Sequence, residues 1–155
     1  MLDPRATHPK LSRALERLRE ADLAEACAEP PPPELRKAIE EFNAGEFFEQ
    51  HETLELLWRA TSGDIRHLYE GILQVGVGMH HLLANRNFHG AAVKLDHGIR
   101  LLEAYPSVCH GVDVARLRAD AAAARSHLLL LGPARLAEFD RAMIPRVHIA
   151  SDANA

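Results

Sequence analysis

The apolar positions of this chain recur with a helical period, not with the alternation of half-buried strands. Leu11, Ala14, Leu15, Leu18 and Ala21 stand at i, i+3, i+4, i+7 and i+10, which predicts a first helix over residues 10–28 behind a loose leader, 1–9. Pro30–Pro33 stop that helix. A run of four prolines lacks the N–H groups a helix needs and reads as a stiff spacer. Leu35, Ala38, Ile39 and Phe42 share one side of a short helix over 34–43, which Asn43-Ala44-Gly45 ends with residues tolerant of left-handed backbone. A helix over 46–60 comes next, with Glu46 and Glu49 in its first turn, where carboxylates suit the positive end. Thr61–Asp64 then make a tight turn, and Ser62 or Asp64 is placed to cap the helix after it.

That helix, 65–84, is the most apolar segment. Between Ile72 and Leu83 only Gln74, His80 and His81 carry polar side chains. Gly71, Gly76 and Gly78 each cost a helix interior roughly 1 kcal/mol against Ala, so a neighbouring helix is expected to approach closely there. Phe88, Ala91, Ala92, Leu95, Ile99 and Leu102 give the stripe of a helix over 88–104. A loop through Gly111 leads to a helix capped by Asp113 and ending near Leu131. A last short helix is expected over 134–143, stopped by Pro145. The short connections make consecutive helices antiparallel. The predicted fold is all-α: an antiparallel helical bundle with peripheral N-terminal helices. The chain divides into an N-terminal helix and tetraproline spacer (1–33), a bundle domain (34–150) and a frayed tail (151–155).

Composition narrows the function classes. The 155 residues are 47% hydrophobic and 26% charged, enough for one cored domain without staples. Net charge is −4, and the lysines and arginines are scattered, which gives no electrostatic case for a nucleic-acid partner. No apolar run approaches a membrane span, and no signal peptide opens the chain. The two cysteines, Cys27 and Cys109, lie far apart and outside any metal or redox spacing, so they read as free thiols of a cytoplasmic protein.

Candidate chemistry concentrates in 46–59. On a helical wheel, Leu57, Leu54, Phe47, Trp58, Phe48 and Leu56 trace a wide apolar arc. His51 and Glu55 fall inside it, and Glu52 falls between Phe48 and Leu56. Gln50 sits at the margin, and Glu46, Glu49 and Thr53 face solvent. Ionisable groups on the apolar side need partners or a metal. An antiparallel hairpin brings His51 level with residues 74–78, and a second turn brings His97 level with 75–78. The expected polar pocket comprises His51, Glu52, Glu55, Trp58, Gln74 and His81. Within it His51, Glu55 and His81 are the candidate ligands of a divalent ion (Zn, Mn or Fe), and Glu52 is the candidate catalytic base for hydrolysis by metal-bound water. Neither H-E-x-x-H nor the E-x-x-H spacing of di-iron bundles is present, and no phosphate-binding or nucleophile motif appears. His80 reads as a helix-packing residue, and His67, His89, His110, His127 and His148 as surface histidines.

Phe42, Asn43, Gly45, Phe47, Phe48, Glu49, His51, Glu52, Leu54, Glu55 and Trp58 match the pattern F-N-x-G-x-[FY]-F-E-x-H-E-x-L-E-x-x-W. The stretch resembles the family catalogued as domain of unknown function 309. The resemblance continues through Gly71–Val75, His81, Asn87 and Gly90-Ala91, and covers 37 to about 104. Arg86 stands where the family pattern favours Gly. The resemblance implies an all-α fold and no settled activity, and it groups Glu49 with His51, Glu52, Glu55 and Trp58. Two functions therefore stand side by side: a bundle whose polar pocket binds a metal or small polar ligand, with hydrolysis open to it; or a non-enzymatic helical module, a homodimer, whose His/Glu network only specifies the fold.

Overall fold

The computed structural model describes residues 20–150. The expected leader, the first half of the N-terminal helix and the tail lie outside them. Residues 20–28 are helical (α1). There follow α2 (Pro33–Asn43), α3 (Phe47–Ala60), α4 (Arg66–Leu83) and α5 (Phe88–Leu102). A minimal hairpin of β1 (Val108–Cys109) and β2 (Val112–Asp113) precedes α6 (Val114–Leu131). The fold is an all-α packed bundle.

The packing runs outward from α4, whose main neighbours are α5 and α3. Its glycines are where the helices touch. A Cβ on Gly71 would lie 2.9 Å from Leu102, one on Gly78 2.8 Å from Leu95, and one on Gly98 of α5 2.8 Å from Val75. The helix-propensity cost of these glycines is thus offset by interhelical contact, as expected. Leu35, Leu54, Leu68, Ile72, Val75, Met79 and Leu95 form the dry centre.

The Asn43–Gly45 turn joins α2 to α3. Gly45 takes φ +79, and Phe42 and Phe47 on either side pack edge to face at 5.3 Å. Asn43 does more than end a helix. Its amide donates to the Val147 carbonyl and accepts from the Val147 N–H, each at 2.8 Å. That pair straps residues 145–150 to the α2–α3 turn, while Ile149 bridges to Val112 of the hairpin.

Five local expectations are corrected. Neither Ser62 nor Asp64 caps α4, whose N-cap position is Ile65 without a side-chain bond; Tyr105 instead donates to the Asp64 carbonyl. The helix expected over 134–143 is replaced by two 3-10 turns, Pro133–Glu138 and Arg141–Met143. Gly132 at φ +72 and Arg135 at φ −112 break the α path, and Asp140 starts a fresh turn by accepting from the Ala142 N–H. The loop through Gly111 is a hairpin, with His110 (φ +54) and Gly111 (φ +72) at its tip. Two consecutive positive φ values match the twist of a two-residue hairpin turn. His110 is buried, 4% exposed, and is no surface histidine. Cys27 and Cys109 are not free thiols; they form a disulfide across 82 residues of sequence. Asp113 caps α6 through the Arg116 N–H, as expected.

Candidate functional site

The antiparallel α3–α4 hairpin sets the register of the candidate residues. Phe48 lies beside His80, with ring centroids 6.1 Å apart, and at the other end the Arg66 guanidinium sits 4.2 Å over the Trp58 ring. His51 therefore comes level with the middle of α4. Toward α5, His81 abuts Gly90 and Val75 abuts Gly98, so His97 also lies level with mid-α4.

The burial pattern of α3 differs from the wheel reading. Its buried residues are Phe47, Gln50 and Leu54. Phe48 is 53% and Leu56 70% exposed, and Glu49 is exposed. Gln50 decides this rotation. Its side chain fills the space where Gly76 has no Cβ, and its amide nitrogen lies 3.3 Å from the Phe47 and Leu73 carbonyls. The inward face of α3 is centred on that contact, which carries His51 to the margin and Glu52 to the outside.

The expected buried His/Glu pocket is thus corrected to a half-open face. The His51 and Glu55 side chains are 39% and 37% exposed, and Glu52 is exposed. His51 Nε2 lies 3.6 Å from Glu55 Oε2, and Glu55 Oε1 accepts from Arg59 at 2.7 Å. His81 does not join them: among the described residues no three His, Cys, Asp or Glu side chains are grouped to hold a metal ion. Burial, then His80 and Lys94, hold the His81 imidazole below its ordinary pKa.

What unites the face is a set of buried polar atoms without partners. Trp58 Nε1, Gln74 Oε1 and His81 Nδ1 are each shielded and unbonded. Buried polar groups are normally satisfied by protein or ordered water; Arg66 Nε beside Trp58 and Gln50 Oε1 in the core are unbonded too. Gln74 and His81 stand on one side of α4 with Arg66, whose guanidinium lies over the Trp58 ring of α3; Arg66 to His81 spans about 22 Å at 1.5 Å per residue. Glu52 and Glu55 of α3 border one side of it. Lys94 and His97 of α5 border the other.

Residues 35–93 match the model of the family described as Domain of unknown function (DUF309). That segment is similar to the DUF309 family. That segment holds α3 and α4, and so most of the face just described. Arg86, in the turn between α4 and α5, adopts φ +49. No curated protein matches the chain.

A second polar cluster lies at the hairpin tip, where the sequence pattern gave no sign of one. His110 Nδ1 lies 3.1 Å from the Glu29 carbonyl, which can only accept. The ring is thereby fixed with its proton on Nδ1, and Nε2 accepts from the Tyr69 hydroxyl at 3.0 Å. Burial, aided by Glu29 and Glu34, pushes Tyr69 up to about 12, so it remains the donor. The available signal was the even cysteine count, since pairing Cys27 with Cys109 brings His110 beside Glu29.

Proposed function

We propose that the protein is a non-enzymatic helical interaction module whose α3–α4–α5 face pairs with a second copy of the chain. The observation that carries this is the row of unpartnered buried polar atoms on Trp58, Gln74 and His81. Its length exceeds what one small ligand covers and suits another helical face. Charge supports a self-complementary pairing. One border of α4 carries Glu52 and Glu55, the latter bonded to Arg59, and the other carries Lys94 and His97. A two-fold axis parallel to α4 lays α3 of each copy over α5 of the other and matches opposite signs. Phe48 is an exposed apolar anchor at the α3 border.

Sedimentation equilibrium of the full chain from 1 to about 100 μM tests this. A dimer is expected, and Gln74→Arg, which sets two cations near the axis, should weaken it at least tenfold while helicity is kept. A monomer throughout that range, or a dimer indifferent to Gln74→Arg, rejects the pairing. The runner-up is a divalent-ion site on His51 and Glu55, with Glu52 as base, favoured by the 3.6 Å His51–Glu55 approach. Elemental analysis of untagged protein separates the two: stoichiometric Zn, Mn or Fe that His51→Ala abolishes supports the ion site.

A further inference from the structure

Helix α1 lies before the DUF309 segment, and among its described residues only Cys27 and Leu23 pack into or against the apolar core. Of its described residues only Cys27 is buried; Leu23 and Ala26 are half-buried. Clefts of about 360, 400 and 500 Å³ border it, between Leu23 and Ile65, between Glu20 and Tyr105, and between Ala28 and Val108. A segment so loosely packed has a low local opening energy unless something ties it down.

Among the described residues three polar or covalent ties are present, and all converge on the hairpin tip. The first is the Cys27–Cys109 disulfide. The second is the His110 N–H, donating to the Cys27 carbonyl at 2.8 Å. The third is His110 Nδ1–H, donating to the Glu29 carbonyl, with the opposite ring nitrogen held by Tyr69 of α4. The His110 and Tyr69 rings lie parallel, 5.9 Å between centroids. The hydrogen bonds act on carbonyls at the end of α1, so they hold it only while the disulfide keeps that end in place. Beyond them Pro31 is buried, which makes the proline segment a fixed pivot for the helix.

We propose that the Cys27–Cys109 disulfide is a redox clasp: oxidised, it closes α1 over the 62–65 turn and the end of α5; reduced, it frees α1 to swing about the prolines. The exchange needs a dithiol reductant, small or on a protein. One of its thiolates attacks a cysteine sulfur, the S–S bond breaks, and the second thiol resolves the mixed disulfide. Cys27 and Cys109 end as thiols and the reductant as a disulfide, two electrons and two protons having been transferred. Cys27 itself lines the 500 Å³ cleft, which gives the reductant its approach. Cys109, wholly buried, is the protected partner. The clasp is independent of the dimer face, which lies on α3–α5.

Hydrogen exchange read by mass spectrometry tests the clasp on the full chain, comparing oxidised protein with protein held in dithiothreitol. Amides of residues 20–29 should lose at least tenfold of their protection on reduction, while α4 and α5 keep theirs. The Cys27→Ser/Cys109→Ser chain should match the reduced state with or without dithiothreitol. Unchanged protection of 20–29 after complete reduction overturns the proposal. So does failure of the two thiols to pair in an oxidising glutathione buffer, and so does global loss of protection in both the reduced and the double-serine chains, which would make the bond a staple of the whole fold.

Discussion

At the scale of single residues, Gly76 and Gln50 are one unit. An alanine at 76 would set its Cβ 2.2 Å from the Gln50 amide nitrogen. Alanine favours a helix over glycine by about 1 kcal/mol, but overpacking costs roughly 1–3 kcal/mol, and a buried amide has nowhere to go. Gly76→Ala should therefore destabilise the protein in urea denaturation. Gln50→Ala should recover most of that loss in the double variant, and purely additive single effects would disprove the contact. His81 carries a different signature. Its folded pKa lies below the ordinary value, because burial and the neighbouring His80 and Lys94 disfavour the charged ring. The unfolded chain then binds more protons as pH falls past about 6.5. Stability from this residue is present above that pH and lost below it. Comparing unfolding midpoints at pH 7.5 and 5 should show a smaller acid loss in His81→Gln than in the parent.

Helix boundaries arise from local chemistry that the chain states openly. Periodic apolar residues, Asn-Ala-Gly, the prolines and Asp113 place α2 to α6 within a residue or two of expectation. What a single element cannot announce is its rotation about its own axis. A glutamine reads as a surface residue until a glycine on the neighbouring helix makes room for it, so the wheel sets Gln50 at the margin and Phe48 and Leu56 inside. The segment after α6 departs from expectation for a related reason: the chain from 134 to 143 has helical composition, but strapping 145–150 to Asn43 and Val112 favours extended backbone there. Asn43→Ala should detach that strap. Losing both bonds to Val147 should cost about 1–3 kcal/mol, and amide protection at 144–150 should fall first; a loss confined to α2 would mean the asparagine acts only as a helix terminator.

For the whole molecule, the bundle was legible because antiparallel neighbours need only short turns, which count residues reliably. The candidate face was half legible. The residues singled out do gather along α3 and α4, yet as a half-open surface bordered by opposite charges and not as an enclosed pocket. Enclosure depends on long-range packing that a wheel does not contain. The disulfide was illegible for the same reason, since 82 residues separate its halves and only the folded hairpin brings them together. That bond also makes the polypeptide from 27 to 109 a closed covalent ring, and the DUF309 segment, 35–93, lies wholly inside it. A protease that nicks any one turn within the ring does not part the chain. Both pieces stay joined through sulfur, travel as a single mass, and separate only when a reductant opens the circle.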